Sequence, residues 1–136
     1  MTLALLFKGA LFWYHDRMSG EWELFLDDLR EPNYVGIDLS THPREVVVAR
    51  DYAQAVKALM THDIFPSHIY FDNDLGYPDL EGYDFAKELV RMHLDSEIVI
   101  PVEFSYSVHS SNPPAKQNII SYLDGFRKFL QEGQNV

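Results

Sequence analysis

From Trp22 onward, short apolar runs alternate with segments in which apolar residues recur every three or four positions. Trp22–Leu26 (WELFL) is a five-residue apolar run that stops at Asp27-Asp28, which predicts a buried strand feeding an acidic loop. Arg30-Glu31-Pro32-Asn33 supplies turn chemistry, and Leu39–Arg44 is polar and carries Pro43. Glu45–Ala49 (EVVVA) is β-branched and predicts the second strand. Asp51 is placed to cap a helix over Tyr52–His62, where Tyr52, Ala55, Val56, Leu59 and Met60 fall on one face. His68–Phe71 (HIYF) predicts a third strand, again ending in acid: Asp72-Asn73-Asp74-Leu75-Gly76. A helix over Tyr83–His93 follows, with Ala86, Leu89, Val90 and His93 at helical spacing. Ile98–Val108 reads as the fourth strand, with Pro101 limiting where pairing begins. Ile119, Ile120, Leu123, Phe126 and Leu130 mark a last helix over Ala115–Leu130, and Gln131–Val136 reads as a frayed tail.

This βαβαβα alternation predicts an α/β domain, a doubly wound parallel sheet with right-handed crossovers and helices on both faces. At 136 residues the chain fits one domain, spanning about 18–131. Residues 1–17 read as an extension or extra strand, since the apolar stretch Met1–Tyr14 is broken by Lys8 and is too short to span a bilayer. Met18, just before Ser-Gly-Glu, offers an alternative start.

Charge and composition narrow the chemistry. Lys and Arg number 11 against 21 Asp and Glu, a net charge of -10, which opposes broad coating of nucleic acid and leaves room for a small phosphate or a strand end. The absence of cysteine excludes disulfides, thiolate zinc sites and cysteine nucleophiles, and is consistent with a cytoplasmic protein that has no membrane partner. No nucleophile elbow, Walker loop or dinucleotide fingerprint occurs.

In a parallel sheet every strand-to-helix loop opens on one edge, so order along the chain predicts meeting in space. Asp27 and Asp28 follow strand one, Asp72 and Asp74 follow strand three, and His109-Ser110-Ser111-Asn112 follow strand four. Each alone is an ordinary turn or cap; three polar clusters at strand ends on one edge are not. Crowded carboxylates call for a hard divalent cation, Mg²⁺ or Mn²⁺. Ser110, Ser111 and Asn112 precede the last helix, whose free N–H groups suit a phosphate, with Lys116 and Asn118 in reach. His109 is the proton carrier of the group. His15, His42, His62, His68 and His93 show no ligand spacing, and Glu103 is assigned no role.

The runs LFLDDLREP (Leu24–Pro32), FDNDLG (Phe71–Gly76), EGYDFAKEL (Glu81–Leu89) and HSSNPPAKQNI (His109–Ile119) resemble the cyclic-phosphate-processing receiver domain family. The likeness spans about Trp22 to Leu130. It implies a receiver-like (flavodoxin-like) sheet of about four strands in the order 2-1-3-4, and processing of cyclic phosphates such as 2′,3′-cyclic RNA ends. By position it implies metal binding by Asp27, Asp28 and Asp72, with Asp72 in the receiver phosphoacceptor place; Asp74, a fourth candidate ligand by its place after strand three, matches one of the family's polar positions. His109, Ser110, Asn112 and Asn118 match the family's polar positions. Asn73 departs from the usual His, and Pro114-Ala115 stand where Gly is common.

The expected function is a metal-dependent phosphoesterase acting on a cyclic or terminal phosphate of a nucleotide or RNA end, with Asp72 and His109 catalytic. A phosphoryl-accepting signalling receiver and a non-catalytic nucleotide- or protein-binding adaptor are the alternatives.

Overall fold

The structure, a computed structural model, describes residues 21–76 and 80–134. β1 (Trp22–Leu26), β2 (Glu45–Ala49), β3 (His68–Phe71) and β4 (Tyr106–Val108) form one parallel sheet in the order β2-β1-β3-β4. The α-helices are α1 (Tyr52–Thr61), α2 (Gly82–Leu94) and α3 (Pro113–Gln134), and a 3-10 turn, η1 (Pro32–Val35), lies between β1 and β2. The expected N-terminal strand and the start at Met18 lie outside the described residues. Among those residues no helix is long and apolar enough to cross a membrane.

Register explains the core. Leu24 sits beside Val47 and Ile69, and Leu26 sits beside Ala49 and Phe71, which in turn meets Val108. These rows share one face, and with Ala55, Leu59, Phe85, Leu89, Ile119 and Leu123 of the helices they make one cluster. Full burial of such side chains contributes about 1.5–3 kcal/mol each. Asp51 caps α1 by accepting the Gln54 N–H at 2.8 Å. Glu81 and Asp84 close a capping box at the start of α2, with the Glu81 N–H donated to Asp84 Oδ2 at 2.8 Å.

Three expectations change. Helices are expected on both faces; among the described residues the three α-helices pack on the face of that single cluster. The other face carries Phe25 and a polar network instead. Glu23, 3% exposed, accepts from Tyr70 Oη (2.8 Å) and pairs with His42 (2.9 Å) and Arg44 (3.2 Å). Paired in this way, a buried carboxylate is tolerated. β4 is three residues long, not eleven, because the chain turns at Pro101, with the Phe104 N–H bonded to its carbonyl. Ile100 and Phe104 still fill the core from this irregular segment, and Glu103 is an exposed loop residue. α3 continues to Gln134, where a frayed tail was expected from Gln131.

The remaining described histidines are engaged structurally. His62 stacks on Trp22 at 3.8 Å, His93 Nδ1 accepts the Ile100 N–H, and His68 lies between the hydroxyls of Ser105 and Ser107.

Candidate functional site

Asp27, Asp72 and His109 are each the first residue past a strand, and each extends the ladder by one hydrogen bond. The Asp27 N–H reaches Ala49 O (3.1 Å), the Asp72 N–H reaches Leu26 O (2.9 Å), and the His109 N–H reaches Phe71 O (2.9 Å). Sheet register therefore lines them up, and side-chain alternation turns them away from the core face of Leu26, Phe71 and Val108. His109 accordingly stacks on Phe25, with ring centroids 5.2 Å apart and planes 4° from parallel.

Asp27, Asp28 and Asp72 each bring a carboxylate oxygen within 4.8 Å of the others. Asp27 Oδ1 accepts the N–H groups of Leu29 (2.9 Å) and Arg30 (2.8 Å), and Oδ2 meets His109 Nε2 at 3.0 Å. Burial pushes this carboxyl up, yet those backbone donors and His109 outweigh it and leave the value lowered. Burial, then the neighbouring Asp27 and, less strongly, Asp28, push Asp72 up to about 6. Asp28 is also raised, by burial and by Asp27 and Asp74. Such mutual disfavour of ionised carboxylates is what a divalent cation relieves, and an all-oxygen donor set suits Mg²⁺ or Mn²⁺.

A carboxylate only accepts, so His109 Nε2 carries the hydrogen and Nδ1 is bare. Nδ1 is buried with no hydrogen-bond partner among the described residues, and burial lowers the imidazole pKa against the raising effect of Asp27. At neutral pH the ring is neutral, with its one proton directed at the acidic trio.

Asp74 lies outside the trio. Its Oδ1 accepts the Gly76 N–H at 3.1 Å, folding the loop so that Gly76, at φ 87°, sits close to Asp28. A Cβ on Gly76 would lie 3.4 Å from Asp28 Oδ2. Asn73 is buried, and its Oδ1 takes the Tyr83 N–H at 3.2 Å, tying the strand end to α2.

The expected anion site at the start of the last helix changes. Pro113 and Pro114, its first two residues, have no N–H to offer. The next two are used internally, Ala115 N–H by Asn112 Oδ1 (3.2 Å) and Lys116 N–H by Asn112 O (2.9 Å). Ser110 Oγ accepts the Asn112 N–H at 3.1 Å. From Asn112 to Lys116 no backbone N–H is therefore left over for an anion, and the side chains on offer are Ser110, half-buried, with Ser111, Lys116 and Asn118 exposed.

Sequence reasoning missed two arginines. Arg30 lies close enough to act favourably on both Asp28 and Asp72, and its guanidinium sits 4.3 Å from the centroid of the Tyr34 ring. Its position two residues past the acid pair was the available signal. Arg50, just past β2, bonds the carbonyls of Asp27 (3.1 Å) and Arg30 (2.6 Å) and the Glu31 carboxylate (2.6 Å), so it staples the acidic loop to the sheet. Three hydrogen bonds at about 0.5–1.5 kcal/mol each set the scale of its hold. Arg50→Ala is expected to speed amide exchange at Leu29 and Arg30 by at least about tenfold. Unchanged exchange at those two amides would remove Arg50 from this role.

A four-stranded parallel sheet in the order 2-1-3-4, with acids gathered at its carboxyl edge, defines a receiver-like α/β domain. The chain belongs to the family described as the Cyclic-phosphate processing Receiver domain, whose model matches residues 22–125. Among solved structures it is similar to a response regulator receiver domain protein (CheY-like) from Methanospirillum hungatei JF-1, at 15% identity and a TM-score of 0.40. That alignment covers 85% of this chain and 97% of the other. Comparison with curated proteins gives no match.

Proposed function

We propose that this domain is a metal-dependent phosphoesterase that opens or removes a cyclic or terminal phosphate on a nucleotide or RNA end. The observation that carries the reading is the junction of two groups at one strand edge: three carboxylates within 4.8 Å and a histidine whose ring bonds one of them. The family name, which refers to cyclic-phosphate processing, points the same way.

Asp27, Asp28 and Asp72 would hold Mg²⁺ or Mn²⁺. When bound, the cation supplies neutralisation of phosphate charge and Lewis-acid polarisation. Asp27 keeps the His109 proton on Nε2 at the edge of the trio, from which it is given to the leaving oxygen. His109 gives this proton as the imidazolium, the form that Asp27 favours against burial, returns to the neutral imidazole and then draws a proton back from solvent. Asp72 orients the attacking water, or attacks phosphorus itself. Ser110, Ser111, Lys116 and Asn118 hold nonbridging oxygens through their side chains.

The test is a short RNA ending in a 2′,3′-cyclic phosphate, incubated with and without Mg²⁺. Metal-dependent conversion is expected for the native chain, with none in Asp72→Asn and a loss of about 10²- to 10⁴-fold in His109→Ala. Near-native rates in Asp72→Asn would sink the proposal.

A further inference from the structure

Beside the acidic trio stands an aromatic ring with no part in the chemistry above. Tyr34, on η1, is 55% exposed. The Arg30 guanidinium covers one face of its ring at 4.3 Å, and the His109 ring lies 6.0 Å away at 60°. The ring therefore flanks the histidine that bonds Asp27, while Arg30 links it to the acids on the other side. The loop beneath it is held firmly. Tyr34 and Gly36 donate their N–H groups to Glu31 O (2.9 Å) and Asn33 O (3.0 Å), Pro32 is buried, and Arg50 grips Arg30 and Glu31 from β2.

We infer that Tyr34, backed by Arg30, is the shelf on which the nucleobase of the substrate stacks, making the substrate a nucleoside phosphate and not a phosphate ester in general. This rests on the phosphoesterase reading and deepens it. A phosphate held at the trio beside His109 would bring the rest of its nucleoside within reach of Tyr34, whose ring lies 6.0 Å from that of the histidine. Every base has a π-face, so an exposed aromatic ring backed by guanidinium takes bases with little sequence preference. The net charge of -10 favours such a contact over a long basic track: one terminal nucleotide is gripped by stacking while the rest of a polyanion is repelled. Tyr34 is a specificity residue on this account. It binds the base and exchanges no proton.

The experiment compares the full chain with Tyr34→Ala and Tyr34→Trp in Mg²⁺, on adenosine 2′,3′-cyclic phosphate and on glycerol 1,2-cyclic phosphate, which has the same strained ring and no base. The native chain is expected to prefer the nucleotide by about tenfold in KM. In Tyr34→Ala that preference collapses to near unity through KM, with kcat on the nucleotide held, and Tyr34→Trp restores it. Equal KM values for the two esters in the native chain, or a preference that survives Tyr34→Ala, would overturn the shelf and leave the phosphoesterase standing. Turnover of neither ester would remove the phosphoesterase reading and the shelf with it.

Discussion

Asp72→Asn is expected to make the metal-free protein more stable at pH 8, by about 3 kcal/mol, while removing its activity. The carboxyl is 4% exposed and is pushed from an ordinary 3.8 up to about 6 by burial and by Asp27 and Asp28. Each pKa unit between folded and unfolded chain corresponds to about 1.36 kcal/mol. Below pH 3.8 the group is neutral in both states and costs nothing. Between 3.8 and 6 the unfolded chain ionises first, so stability falls as pH rises, and above 6 the full cost is present. Asparagine keeps the shape and carries no charge. Denaturation in EDTA at pH 4 and pH 8 should give near-equal stabilities at the lower pH and the full gap at the higher. Adding Mg²⁺ should stabilise the native chain more than the variant, since ligand binding to the folded state adds to stability. A variant less stable than the native chain at pH 8 in EDTA would contradict the crowding argument.

Gly82→Ala is expected to destabilise the fold by more than about 3 kcal/mol and to damage the site together with it. A Cβ there would stand 2.1 Å from Asp72 O and 3.0 Å from Asn73 Cα. Both obstacles are backbone, so a side chain cannot turn aside, and overpacking of this kind costs at least the upper end of the usual 1–3 kcal/mol. α2 begins here, with the Gly82 N–H on Asn73 O at 2.9 Å, and the segment that must move carries Asp72. Gly125→Ala provides the contrast. Its Cβ meets nothing within 4 Å on an exposed face of α3, and it should stabilise by up to about 1 kcal/mol. Thermal melts of both variants, with Mg²⁺ titrations of whatever folded Gly82→Ala is recovered, check the pair. A Gly82→Ala protein with native melting would refute the close approach.

Much of this architecture is legible in the residue pattern because each early element has its own period. β1, β2 and β3 fall where the apolar runs place them, and α1 and α2 follow their periodic faces to within a residue or two. The trio is legible too, since Asp27 and Asp72 stand directly after runs that must be buried. β4 was overread because burial and strand pairing are different things: Ile100 and Phe104 are core residues on a chain that turns. At α3 the sequence also shows in plain view that the first two helical residues, Pro113 and Pro114, have no N–H to give an anion. Arg50 and Gly82 were out of reach in another sense. An arginine after a strand looks solvated and a glycine before a helix looks permissive, until the sheet brings Asp27 and Asp72 against them.

The row formed by Asp27, Asp72 and His109 also bears on when the site comes into being. His109 and Asp27 are 82 positions apart in sequence, and they meet only because β1, β3 and β4 are neighbours. Local helix formation does nothing to bring them together, so the repulsion among the acids is first felt as the strands dock. Charge crowding is then expected as a late obstacle on the folding route, one that protonating the acids should ease. The speed of refolding itself becomes a report on the three carboxylates.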